Sequence, residues 1–183
     1  LERTVRELRG EKCLTIENNI ESKKQIIVSR SFGERVSNFE TLRPIVSNFA
    51  VRAAEKLRSE KQKCSQVSVF VKTSPFNKAK PQHAEIKTIK LFTPTNDTRD
   101  ILIAAKKGLL SIFKSGYDYA KAGIILNKFS NEKTKQYSLF QDPDEPKENM
   151  KFMNYIDQIN TQETQIYFAS QNTKTWSPMK QNM

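Results

Sequence analysis

Side chains that do covalent chemistry are scarce in this 183-residue chain, and their spacing points away from catalysis. The one histidine, His83, ends the Pro- and Lys-containing stretch "SPFNKAKPQH" with no neighbouring nucleophile or orienting carboxylate, so it reads as a surface residue. Cys13 and Cys64 are far apart, which suits a reducing compartment and neither a disulfide framework nor a thiolate metal cage. Five glycines cannot form a phosphate-cradling loop together with ordinary turns. Asp97 and Asp100 are spaced to cap a helix, not to pair as carboxylates around Mg²⁺ for nucleotidyl transfer. No residues stand at metal-ligand spacing. Catalysis would need residues from outside this sequence.

Positive charge is the chemistry that remains. The net charge of +11 is unevenly spread: residues 1–24 carry +1, residues 25–130 carry +11 and residues 131–183 carry −1. A compact segment with that excess repels itself unless it meets a polyanion, and nucleic acid is the usual one. A membrane surface fits less well, because no strongly basic amphipathic helix stands out. No apolar run approaches the roughly 18–20 residues that span a bilayer, and no signal-peptide pattern opens the chain. The start at Leu1, without an initiator methionine, suggests a piece of a longer protein.

A second binding chemistry sits outside the basic segment. "QYSLFQD" (136–142) places Leu139 and Phe140 side by side in a polar stretch that continues as the acidic, proline-broken "PDEPKEN". The residues allow a short final strand, or a peptide meant for another protein's pocket.

The elements that must position these groups follow from periodicity. "QIIVSRSF" (25–32) is a short β-branched strand, followed by the polar turn "GERVSN". Leu42, Ile45, Val46, Phe49, Ala50, Ala53 and Leu57 recur at helical spacing, predicting a helix from about Thr41 to Glu60 with Pro44 in its first turn. "SQVSVFVKT" (65–73) alternates, with Val67, Val69 and Val71 on one face and Ser68, Phe70 and Lys72 on the other. "EIKTIKLFT" (85–93) reads as the next strand, and Asn96 or Asp97 as the cap of a helix using Ile101, Ala104, Ala105, Gly108, Leu109 and Ile112. "YAKAGIILNKF" (119–129) is the last strand of the segment.

The order β-α-β-β-α-β is a split βαβ arrangement of the α+β class, with a four-stranded antiparallel sheet and two helices on one face. The open face would carry Lys72, Lys121, Phe70 and Tyr119, charged stems beside aromatic rings that suit a phosphate backbone. The same order serves RNA-binding modules, although no Gly-aromatic stacking motif of that kind occurs here. Residues 131–147 read as a linker and 148–183 as a small C-terminal extension, with a helix around Met150–Ile159 and a strand at "QIYFAS".

Five strings, in order, carry a family resemblance: "SRSFGERV" (29–36), "RAAEKLRSE" (52–60), "VKTSPF" (71–76), "PTNDTRDI" (94–101) and "YAKAG" (119–123). They resemble the C-terminal part of UmuC-type catalytic subunits of DNA polymerase V, bacterial Y-family polymerases that copy damaged templates. "ERTVRELRG" (2–10), "YFASQ" and "WSPMK" extend the likeness to the whole chain. The resemblance implies that residues 1–24 end the thumb and linker, and that 25–130 form the DNA-binding little finger. The palm, with its Mg²⁺-binding carboxylates, would then lie upstream of Leu1, leaving this fragment non-catalytic and without a cofactor. It further implies phosphate neutralisation by Arg30, Lys72 and Lys121, and hydroxyl hydrogen bonds from Ser31 and Thr73, two residues that plain β-propensity also suits. Gln136, Tyr137, Ser138, Leu139 and Phe140 resemble the sliding-clamp-binding peptide of bacterial polymerases, with Tyr137 replacing a commoner aliphatic residue. Primer–template duplex and damaged DNA, the sliding clamp, a UmuD-type accessory subunit and RecA are the partners the family implies. Its setting is the SOS response, in the bacterial cytoplasm and at the nucleoid.

Overall fold

The computed structural model describes residues 2–13, 22–77, 79–132, 148–161 and 166–171. The elements run α1 (Glu2–Leu8), β1 (Gln25–Val36), α2 (Phe39–Ser59), β2 (Gln62–Thr73), β3 (Ala84–Thr95), α3 (Thr98–Ile112), β4 (Tyr119–Asn131) and α4 (Glu148–Asn160). The four strands form one sheet in the order β1-β4-β2-β3, with every neighbouring pair antiparallel. β1 and β2 therefore run the same way with β4 between them, and β3 and β4 run the same way with β2 between them. Two split βαβ units interleave, which is the α+β arrangement the element order implied.

α2 and α3 lie side by side on one face, and the core fills the space beneath them. From α2 it receives Leu42, Ile45, Val46, Phe49, Ala50, Ala53 and Leu57, and from α3 Ile101, Ala104, Ala105, Leu109 and Ile112. Val67, Val69 and Val71 of β2 and Ala122, Ile124 and Leu126 of β4 meet them with no exposed surface at all. Gly108 is required where α3 crosses β2, since a Cβ there would sit 2.9 Å from a Val69 methyl. Cys64 is buried in the same core, which pushes its thiol up to about 12, so it behaves as a small apolar side chain.

Helix boundaries follow from their caps. α2 starts at Phe39, two residues earlier than periodicity suggested, because the Asn38 side chain accepts a hydrogen bond from the Glu40 N–H at 2.9 Å. Pro44 consequently sits inside the helix and not in its first turn. Asp97 caps α3 by accepting from the Arg99 N–H at 2.8 Å, and its carboxylate also pairs with the Arg99 guanidinium. β1 is longer than expected. The stretch read as a turn continues the strand through a register irregularity between Ser31 and Val36, and Phe32 and Val36 both enter the core.

α4 is fastened to the domain by Arg58, a residue of α2 with only 8 % exposure. Its guanidinium donates to both Asp157 carboxylate oxygens at 2.6 and 2.7 Å, to the Asn96 carbonyl and to the Thr98 hydroxyl. Met153 and Ile156 are buried, while Arg99 lies 5.7 Å from the Phe152 ring centre. "QIYFAS" does not form a strand in its described part: Phe168 to Gln171 make a turn, and Gln171 donates to Asn48 of α2 at 3.1 Å. Among the described residues no helix is long and apolar enough to cross a membrane.

Candidate nucleic-acid interface

Cross-strand partners share a face of a sheet, so the register maps the open side residue by residue. Four rows cross it in the order β1, β4, β2, β3. Gln25, Asn127, Gln66 and Lys90 form one end; next come Ile27, Ile125, Ser68 and Thr88. Ser29, Gly123, Phe70 and Ile86 form the third row, and Ser31, Lys121, Lys72 and Ala84 the other end. The face therefore has polar ends and an apolar or small-residue middle, where the Ser68 and Thr88 hydroxyls are bonded at 2.8 Å.

Three of the residues expected to contact phosphate stand together. Lys121 is paired with both Ser31 and Lys72, so one hydroxyl and two ammonium groups line up across three strands. Lys72 is exposed and Lys121 half-buried, which keeps both stems on the sheet and both heads within reach of solvent.

Arg30 and Thr73 belong elsewhere. Arg30 pairs with Ala122, a core residue, so it leaves the edge strand on the helix side of the sheet, where it is exposed. Thr73 pairs with Tyr119 and is 9 % exposed. Its hydroxyl donates to Gln82 Oε1 at 2.9 Å and accepts from the His83 N–H at 3.0 Å, so its hydrogen-bonding capacity is directed inward.

The two aromatic rings placed on the open face also behave differently from expectation. Phe70 does face that side but is 9 % exposed. It lies down over Gly123, where an added Cβ would be 2.6 Å from the ring and 2.4 Å from Ser29 Cβ. Gly123 is thus a site of close approach, and Phe70 is sheet packing, with Lys72 Nζ 5.8 Å from its centre. Tyr119 is wholly buried on the helix side. The cause is a β-bulge: Lys72 pairs with Lys121 but Thr73 with Tyr119, leaving Ala120 as an extra residue that inverts the alternation of β4.

Behind the bulge, Tyr119 joins a polar-aromatic cluster that includes His83, which is 7 % exposed and not a surface residue. The His83 ring lies 4.9 Å from Tyr117 and 5.7 Å from Tyr119. The Tyr119 hydroxyl accepts from the Lys114 N–H at 3.0 Å and donates to the Lys114 carbonyl at 3.1 Å. Its burial raises its pKa. At the rim, Lys114 donates to Glu85 at 2.7 Å, holding that carboxyl below its ordinary range and raising the ammonium in turn. Nothing about His83 itself marked it as buried. Extending the alternation of β3 back from Glu85 would have placed it on the helix side.

Arg35 is a cation that the sequence reading passed over as part of a turn. It is exposed and, with Lys80, Thr73, Ser74, Asn77 and Gln82, lines a recess of about 40 Å³ at the Lys72–Lys121 end of the sheet. Gln136, Tyr137, Ser138, Leu139 and Phe140 lie outside the described residues.

Comparison with known proteins decides the family. Residues 23–139 match the C-terminal domain of the impB/mucB/samB family. The chain belongs to that family. Its relatives include protein UmuC of Salmonella typhimurium, 44 % identical over 185 residues that cover 100 % of this chain and 44 % of that protein. SamB of Salmonella typhimurium is 44 % identical over 184 residues, and MucB of Escherichia coli 43 % over 184 residues, each covering 100 % of this chain and 43 % of the relative. The chain thus spans less than half the length of these family members. Among solved structures, similarity extends to a complex of the beta-clamp processivity factor with the little finger domain of PolIV: TM-score 0.41, 13 % identity, 64 % of this chain and 99 % of that one. The insertion ternary complex of Dbh DNA polymerase gives TM-score 0.44 and 10 % identity over 71 % of this chain and 35 % of that one.

Proposed function

We propose that residues 25–130 are the DNA-gripping little finger of an error-prone translesion polymerase of the DNA polymerase V type. The observation that carries this reading is the row Ser31–Lys121–Lys72 on the uncovered face, in a segment holding the whole +11 excess of a family member. The sheet approaches the duplex with its open side. Lys72 and Lys121 neutralise phosphates and release counterions, while Ser31 donates to a phosphate oxygen. The middle rows present Ile27, Ile125 and Ile86, which cannot hydrogen-bond base edges, and Ser68 and Thr88, whose hydroxyls are bonded to each other. Such a grip accepts any sequence, as copying past damage requires. Synthesis itself, with its Mg²⁺ and carboxylates, belongs to parts of the longer relatives that this chain does not cover, and an SOS role with a UmuD-type subunit and RecA is part of the same proposal.

The test is a salt titration of duplex binding. Lys72→Ala with Lys121→Ala should lower the slope of log K against log salt by about 2. An unchanged slope in a folded double variant, or a preference for single-stranded RNA over primer–template, would overturn the reading.

The peptide Gln136–Phe140 supplies the second half of the proposal, docking on the sliding clamp. Adjacent Leu139 and Phe140 would bury roughly 4 kcal/mol of apolar surface in a cleft, and tethering would hold a weakly bound domain near the primer end. Leu139→Ala with Phe140→Ala should abolish clamp binding in surface plasmon resonance and leave duplex affinity intact. Clamp affinity retained in that variant would return the stretch to an ordinary apolar segment.

A further inference from the structure

The loop between β2 and β3 holds one apolar ring away from everything else. Its base is pinned by the Thr73 hydroxyl to Gln82 and His83, and by the Thr73 N–H to the His83 carbonyl at 2.9 Å. Gln82 Nε2 donates to the carbonyls of Asn77 at 2.6 Å and Lys80 at 3.2 Å, and Asn77 Oδ1 accepts from the Ala79 N–H. Lys80 reaches across to Asp118 at 2.5 Å. His83, at the foot of the loop, is locked under Tyr117 and Tyr119. Yet Phe76, at the turn that Pro75 begins, is 93 % exposed, the most exposed of the large apolar side chains described. A loop tied down by this many polar contacts presents its tip instead of letting it fold back.

The neighbourhood indicates what the ring meets. The loop leaves the sheet at the Lys72–Lys121 row, and the recess beside it carries Arg35 together with the Lys80–Asp118 ion pair. Residues 74–82, "SPFNKAKPQ", offer only Ala79 and two prolines to continue an apolar patch for a protein partner. A partner that is anionic along its backbone and apolar only on flat faces is a nucleic acid strand. In a duplex those faces are already stacked, so the ring is available to an unpaired base. Phe70 cannot serve, because it is committed to Gly123.

We propose that Phe76 is a stacking platform for an unpaired nucleobase of the strand whose phosphates Lys72 and Lys121 hold. The inference rests on the DNA-binding reading above and adds a ligand to it: a single-stranded nucleotide at a duplex junction, without base preference, since every base offers a π-face.

The test compares the 183-residue chain with Phe76→Ala, Phe76→Leu and Phe76→Trp on two labelled DNAs, a primer–template with a single-stranded overhang and a blunt duplex of equal duplex length. Phe76→Ala should weaken overhang binding about tenfold and blunt-duplex binding less than twofold. Phe76→Leu should lose nearly as much as Phe76→Ala, and Phe76→Trp should keep wild-type affinity. Equal affinity of Phe76→Ala and wild type for the overhang would overturn stacking. So would equal losses on both DNAs, or full retention by Phe76→Leu. A wild-type chain that bound neither DNA would instead remove the DNA reading, and the stacking role with it, which is a different result from a silent Phe76→Ala.

Discussion

The two faces of the sheet are cut from the same four strands and are governed by different physics. On the helix side, Val67, Val69, Val71, Ile124 and Leu126 have lost all contact with water and interlock with α2 and α3. On the open side the alternate positions of the same strands include Ser29, Ser31, Ser68, Gly123, Lys72 and Lys121, with Ile27 and Ile86 more than half exposed. Close packing makes the covered face intolerant of volume changes. The open face is released from that demand, and its residues can be spent on a ligand. The exception proves instructive: Phe70, the ring in the third row, packs down because Gly123 gives it room.

The sharpest way to break this contrast is to remove equal chemistry from both sides. Leu126→Ala in the core should cost about 2–5 kcal/mol in urea unfolding. Ile27→Ala, at 51 % exposure, should cost under about 1 kcal/mol. Comparable losses would mean that the open face is also a packed one, and that something in the chain covers it.

A smaller effect separates the two sides of the bulge. Tyr119→Phe deletes a buried hydroxyl that serves both the N–H and the carbonyl of Lys114, and should cost about 1–3 kcal/mol without changing duplex affinity. A drop in DNA binding at unchanged stability would put Tyr119 back on the binding surface.

The smallest effect is a pH dependence at the rim of the helix side. The hydrogen bond from Lys114 is the main cause of the lowered pKa of Glu85. A carboxyl depressed in the folded state adds stability above its unfolded value, and that stability fades as pH falls through the folded one. Glu85→Gln should therefore lose slightly more stability at pH 7 than at pH 3, and the gap should shrink in high salt because the pair is exposed. An equal loss at both pH values would mean that the pair does not contribute.

Much of this was legible from residue types. The alternation of Val67, Val69 and Val71 marks the covered side of β2, and the helical spacing of Leu42 to Leu57 marks α2, because burial selects apolar side chains at the period of the element. Lys72 and Lys121 are found for the same reason, as the charged members of alternating strands. Tyr119 was misplaced because period-2 reasoning assumes an unbroken ladder, and the extra residue Ala120 breaks it. Thr73 keeps the period of Val67, Val69 and Val71, and its phosphate role came from the resemblance alone. Arg30 was assigned to no face for want of a partner. Its face is defined by Ala122, nearly a hundred residues away in sequence, and no local pattern supplies that pairing.

The sequence by itself determined the order of the six elements in residues 25–130, the site of the charge excess and the family, since each depends on local composition or on strings of residues. Only the tertiary structure decided which cations stand side by side. Antiparallel pairing at a set register brings Ser31, Lys121 and Lys72 into one row, and a single bulge turns Tyr119 inward beside them. Register is a relation between strands, decided by the packing of the covered face. The composition of the open face is therefore a consequence of the core beneath it.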